Sequence, residues 1–271
     1  MTETSNGIDP TKPSVSRVYD FLLGGKDNFA IDRQIAQMVL KIAPDAPDAA
    51  FANRGFLQRV IRYLTEEEGV RQFLDIGSGL PTQGNVHEVA QAVDPAARVV
   101  YVDHDPIVLA HGRALLATND TTTVIEADIR DPRSILDHPD TRRLIDFTQP
   151  VGLLLFSILH HLNDDEDPVG LSAQLCDALP AGSWVAISHF QNPGEEHPEA
   201  AAHAANAEIL FNENLGTGRW RSKEEILAFF GDLEVVEPGL VPLAEWRAEP
   251  DAYVFSGITY YTYVGGLARK A

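Results

Sequence analysis

From about residue 71 onward the chain alternates short, continuously apolar runs with stretches of helical periodicity. That alternation leaves few folds open. The runs 72–76, 98–102, 123–127, 151–156 and 184–188 read as strands, and between them 86–93, 106–117, 132–136 and 167–179 read as helices. Strands that are apolar at successive positions, rather than at alternate ones, are covered on both faces. The pattern therefore predicts βαβ units and a largely parallel α/β sheet. Ser222-Lys223-Glu224-Glu225 has capping-box spacing and opens a further helix ending at Gly231. Two later runs, 233–236 and 258–264, are expected to pair antiparallel at one sheet edge, for seven strands in all. Upstream, residues 14–70 form a helical extension: one helix stops at Gly24-Gly25, a second runs from Asn28 to about Ile42, and a third is capped by Asn53. Residues 1–13 are polar and expected to fray. Residues 71–271 form the core, interrupted by an insertion at about 190–221 that is partly helical and placed to cover a ligand.

The first of these strands, Phe73-Leu74-Asp75-Ile76, runs directly into Gly77-Ser78-Gly79. Glycines at a strand-to-helix turn let the backbone approach a ligand closely. A dinucleotide fingerprint needs a third glycine three positions on, where this chain has Thr82, so a pyrophosphate is disfavoured. The second strand ends in Asp103, where a carboxylate can accept both ribose hydroxyls of an adenosine. Asp105, just before Pro106, reads as a helix cap. The third strand leads to Asp128-Ile129, whose carboxylate could accept an adenine amino group. Three acids at the ends of three successive strands converge on one sheet edge.

The runs DIGSG, YVDHDP and EADIRDP resemble motifs I, II and III of class I S-adenosylmethionine-dependent methyltransferases. The N-terminal run SRVYDFLLGGKDNF, with LHHLNDDEDP and VEPGLV, is similar to an actinobacterial methyltransferase family known mainly as a domain of unknown function. The likeness spans about residues 13 to 268. It implies a Rossmann-like fold with an N-terminal helical lid and S-adenosylmethionine as cofactor. Carried over, Asp75 would lie beside the methionine ammonium, with Gly77, Ser78 and Gly79 along the amino-acid part and sugar. Asp103 would hold the ribose, and His104, Asp128 and Ile129 would surround the adenine. Phe156 and Ser157 would border the methyl group. The resemblance also implies that Tyr19 to Asn28 folds over the cofactor, with Gly25 at closest approach and Lys26 and Asn28 on its carboxylate.

Methyl transfer to oxygen or nitrogen is an in-line displacement that needs alignment and often a base. His160, in Leu159-His160-His161-Leu162-Asn163-Asp164, matches the base of small-molecule O-methyltransferases, although Leu162 replaces their usual aromatic residue. His189, ending the fifth strand, is a second candidate, and both histidines also suit plain packing. Trp220, near the insertion, could line a substrate pocket. The histidines have no metal-site spacing, and no metal is expected.

Forty acidic residues against 21 basic ones give a net charge of −19. That balance argues against nucleic acid and anionic membranes, which reward basic patches. The single cysteine excludes a disulfide framework. With neither a secretory signal nor a membrane-length apolar run, a cytoplasmic location is expected. The expected reaction is methylation of a small molecule, with oxygen as the favoured acceptor atom. A protein that binds S-adenosylmethionine without turnover and, less favoured, a nicotinamide-dependent oxidoreductase are the competing readings.

Overall fold

In a computed structural model of the chain, residues 8–82, 84–116, 120–248 and 256–271 are described. Three helices come first: α1 (Val15–Leu22), α2 (Ala30–Ile42) and α3 (Ala46–Glu66). The parallel strands are β1 (Gln72–Ile76), β2 (Arg98–Asp103), β3 (Thr122–Glu126), β4 (Gly152–Phe156) and β5 (Trp184–Phe190). They lie in the order β3-β2-β1-β4-β5, and connecting them are α4 (Val86–Val93), α5 (Pro106–Leu116), α6 (Pro132–Leu136), α7 (Pro139–Leu144) and α8 (Pro168–Asp177). β1 and β4 are buried at every position. On β1, Leu74 and Ile76 enter the core on one face of the sheet, and Phe73 enters the core under α3 and α4. Period-2 alternation puts Asp75 on the Phe73 side, at the carboxyl end of the strand.

The insertion is organised by α9 (Pro198–Leu215), and α10 (Lys223–Leu227) follows with the capping box that its sequence predicts: Ser222 Oγ accepts from Glu225 N at 3.3 Å, and Ser222 N donates to the Glu225 carboxylate at 2.8 Å. The antiparallel end consists of β6 (Glu234–Val235), β7 (Val241–Pro242) and β8 (Tyr263–Arg269). β8 pairs with β5, β6 and β7, all antiparallel, so the sheet has eight strands.

Three elements depart from the periodicity. The last strand starts at Tyr263 rather than Ile258, because 260–262 form a 3-10 turn. It also continues through Gly265-Gly266. A Cβ on Gly265 would lie 2.5 Å from the Phe56 ring, so this glycine permits close packing within the strand. Helix α3 begins at Ala46 with Pro47 in its first turn, which makes Asn53 a mid-helix residue and not a cap. α7, which the sequence reading omits, completes the connection from β3 to β4.

A buried ion pair joins the first two helices. Arg17 Nε lies 2.7 Å from Asp32 Oδ2, with both side chains at or below 5% exposure. Asp32 also accepts from the backbone N–H groups of Phe29 and Ser14. Part of the polar tail is tied down too: Arg17 donates to the Lys12 carbonyl, and Ile8 packs against Leu80, Ile107 and Val108. No helix among the described residues is long and apolar enough to cross a membrane.

Candidate functional site

The turn after β1 is built for close approach. Gly77 and Gly79 have φ of 73° and 66°, values that favour glycine. A Cβ on Gly77 would sit 2.7 Å from Ile158, whereas Gly79 has open space where its Cβ would be. The N–H of Gly79 donates to Asp103 Oδ2 at 2.9 Å, and the N–H of Asp105 donates to Oδ1 at 2.9 Å. Asp103 is thereby aimed by the backbone on either side of it. Asp105 caps α5 through Ile107 N, and its second oxygen accepts from Ser14 and Ser16 at 2.6 and 3.0 Å. These last contacts draw the N-terminal segment onto the edge of the sheet.

Asp75 and Asp103 are two buried carboxylates in one another's field. Burial pushes the Asp75 carboxyl up to about 7; Arg54 opposes the shift and Asp103 adds to it. Burial also raises Asp103, against its backbone hydrogen bonds. A carboxylate pair held this way has use for a cation.

A cavity of about 550 Å³ runs along this edge. It is lined by Asp75, Gly77, Ser78, Gly79, Asp103 and His104 from the β1 and β2 turns, and by Ile129 after β3. Phe156, Ser157, His160 and His161 reach it from the end of β4, and Tyr19 from α1. Most of the residues named from the sequence thus meet in one place.

Five do not. Gly25 and Asn28 fasten the loop after α1: Asn28 Nδ2 donates to Asp20 Oδ2 at 2.8 Å, and a Cβ on Gly25 would lie 2.0 Å from Asp20. Lys26 is exposed and outside the cavity lining. The N-terminal segment meets the cavity through 8–9, 12–19 and Leu22, so of the Tyr19 to Asn28 stretch that the resemblance implied, Tyr19 and Leu22 reach it and 23–28 do not. Asp128 turns to the side, pairing with Arg130 at 3.2 Å, and Arg130 is the lining residue instead. His189 is fully buried, with Nδ1 2.7 Å from the Phe190 carbonyl and Nε2 3.2 Å from Arg221. Burial pushes it down to about 3, so the ring is neutral, and it lies outside the cavity lining, where it packs and cannot reach an acceptor.

His160 needs a similar correction. The N–H of Phe190 donates to its Nδ1 at 3.2 Å, and its ring stacks on Phe190 at 3.7 Å. With Nδ1 accepting, the neutral ring carries its proton on Nε2. That nitrogen is buried without a hydrogen-bond partner. Burial, reinforced by His161, His189 and Arg221, holds the ring well below the usual histidine range. No lone pair is available for proton abstraction, so His160 can donate but is unsuited to act as a base. His161 is pushed down to about 4 by burial and then Arg130.

The groups that sequence reasoning missed sit beside Ser157. Ser157 has φ 56°, a strained value for a non-glycine residue and one often kept at functional sites. Its N–H donates to Ser188 Oγ and O at 3.0 and 3.1 Å, which aims the side chain. Asn53 Nδ2 donates to Ser157 Oγ at 2.8 Å and to Tyr19 Oη at 3.1 Å, and the Tyr263 hydroxyl contacts Ser157 Oγ. Asn53 Oδ1 is buried and unpartnered. A legible signal existed: Asn53 lies on the apolar stripe of Phe56, Leu57 and Val60, where a polar side chain needs a reason. Arg54 also lines the cavity. Trp220 lines it as anticipated, stacked on Phe190 at 4.3 Å.

The profile of a family described as S-adenosyl methyltransferase matches residues 1–271. A candidate methyltransferase from Thermobifida fusca YX is 44% identical with a TM-score of 0.90, over 100% of this chain and 99% of its own. A DUF574 family protein from Streptomyces avermitilis MA-4680 is 36% identical with a TM-score of 0.89, over 97% of this chain and 99% of its own. A SAM-dependent methyltransferase from Anabaena variabilis ATCC 29413, at 15% identity and a TM-score of 0.50 over 79% and 84% of the two chains, shares the fold. No curated protein matches.

Proposed function

The chain belongs to the S-adenosyl methyltransferase family, and from that premise we propose that it methylates an oxygen of a small-molecule acceptor, using S-adenosylmethionine as donor. The residues fit the cofactor. Two buried carboxylates lining one cavity, Asp75 and Asp103, each raised by burial, suit a ligand carrying an ammonium and a sulfonium, and this is the observation that carries the reading. S-adenosylmethionine held there would supply an electrophilic methyl, and its transfer to the acceptor oxygen would leave the S–CH3 electron pair on the sulfur of S-adenosylhomocysteine.

Asp75 holds the ammonium, and Arg54, whose charge acts on Asp75 in the same cavity, takes the carboxylate. Lys26 and Asn28, implied for that role by the resemblance, lie outside the cavity lining. Asp103, pre-oriented by two backbone N–H groups, accepts the ribose hydroxyls. Ile129 and His104 flank the adenine. At the end of β4, Ser157 Oγ orients the acceptor, and the acceptor proton passes to water. The rate then comes from alignment more than from a protein base.

Calorimetry with S-adenosylmethionine, S-adenosylhomocysteine and NAD tests the reading. Both S-adenosyl compounds bind, and Asp103→Ala weakens them at least ~10-fold, as expected for a charged acceptor worth about 1.5–3 kcal/mol. Binding of NAD alone would overturn it. The His160 tautomer favours one second reading, a cofactor-binding protein without turnover. Release of S-adenosylhomocysteine on addition of an acceptor separates the two.

A further inference from the structure

The order of the strands divides the cavity. Asp75 and Asp103, at the carboxyl ends of β1 and β2, and Ile129, after β3, lie on one side of β4. Phe190 and Tyr263, from β5 and β8, lie on the other side with the helices α2 and α9. Charge divides the same way. Every Asp, Lys and Arg among the described lining residues lies between positions 9 and 130, and none comes from α2, α9 or any residue after Arg130. Of the titratable side chains on that side, His203 has its pKa lowered by burial, with Asp45 nearby opposing the shift, and burial raises that of Tyr263.

The far end is also shaped. One wall holds the parallel rings of Phe190 and Trp220, stacked at 4.3 Å and 11°, with Phe211 edge-on to Trp220 at 5.2 Å. Beside them the lining carries small aliphatic groups, among them Ala43, Ala46 and Ala207. Alanines keep such a slot wide without projecting into it. Where the two halves meet, the hydroxyls of Ser157, Tyr263 and Tyr19 cluster around Asn53.

Resting on the cofactor reading above, we propose that the acceptor is a neutral, planar, largely apolar ring compound that presents a hydroxyl to Ser157. A carboxylate, phosphate or ammonium at the far end would lose its hydration with no charged group in the described lining there to meet it. A phenolic ring system would keep its apolar body against Phe190, Trp220 and Phe211, and its one polar group at the polar junction.

The test uses the full chain saturated with S-adenosylhomocysteine and titrated with 2-naphthol, 2-naphthoate and 2-naphthylmethylammonium, read by tryptophan fluorescence and calorimetry. Neutral 2-naphthol binds at least ~10-fold more tightly than either ion. Ala207→Leu, which fills the slot from α9, weakens 2-naphthol at least ~10-fold and leaves S-adenosylhomocysteine affinity within about twofold. Trp220→Leu, a second variant that removes an aromatic ring from the lining, gives the same split. Tighter binding of either ion, no 2-naphthol binding to the loaded protein, or unchanged 2-naphthol affinity in both variants overturns the acceptor assignment. Failure of S-adenosylhomocysteine itself to bind overturns the cofactor reading instead, so the two failures are distinguishable.

Discussion

Asp75 carries a conflict between stability and function. Its carboxyl is pushed up to about 7, against an ordinary value of 3.8, chiefly by burial. A group whose folded pKa is raised stabilises the fold fully below its unfolded value and loses that contribution as pH rises through the folded pKa. The ligand-free protein should therefore lose stability between about pH 4 and 7 from this residue. Asp75→Asn removes the penalty: thermal melts of the ligand-free variant show a higher midpoint than the parent at pH 8 and little difference at pH 4. An unchanged difference across that range would contradict the assignment. Binding follows the opposite sense. A ligand ammonium needs Asp75 ionised, so S-adenosylhomocysteine affinity of the parent rises from pH 5.5 to 8 and proton uptake by the buffer accompanies binding near pH 6. Calorimetry in buffers of different ionisation enthalpy reads that exchange. Ser157 shows a second kind of tension, since its φ of 56° is tolerated because Ser188, Asn53 and Tyr263 all hold it.

At the level of elements, α1 reaches the site because α2 holds it there. The Arg17–Asp32 pair is buried, and removing one partner strands the other charge at a cost of about 3–5 kcal/mol. Arg17→Ala should expose residues 8–42 to limited proteolysis before the sheet is attacked, and Arg17→Ala with Asp32→Ala should cost less than the two single changes added. Strict additivity would show that the pair does not act as a unit. The elements also mark how far local pattern reaches. β1 and α4 have the bounds their apolar runs predict, because a doubly covered strand and an amphipathic helix each write their environment into consecutive residues. β8 does not: its glycines read as a terminator, and only the Phe56 ring packed against Gly265 explains why the strand continues. Asn53 likewise reads as a cap until α3 is seen to start at Ala46.

For the whole molecule, the charge of −19 acquires an internal counterpart: the acids Asp75 and Asp103 sit at one end of a cavity whose other end carries no charge among the described residues. Ligand binding there should stabilise the entire fold, since the cavity touches α1, α3, β1, β2, β4, β5 and α9. S-adenosylhomocysteine at about 100 times its Kd should add about 2.7 kcal/mol and raise the melting midpoint by roughly 5–10 °C, in one transition. A separate early transition left unshifted by ligand would show that the N-terminal helices are not part of the site. The sequence alone determined the parallel sheet, the glycine turn and the strand-terminal acids Asp75 and Asp103. These are local: a few adjacent residues carry both the structure and the chemistry. Only the tertiary structure decided that His160 offers no lone pair, that His189 packs away from the cavity, and that Asn53 reaches Ser157 across 104 positions of chain. Such contacts depend on how helices dock on the sheet, and hydrophobic periodicity records which face is buried but not what that face meets.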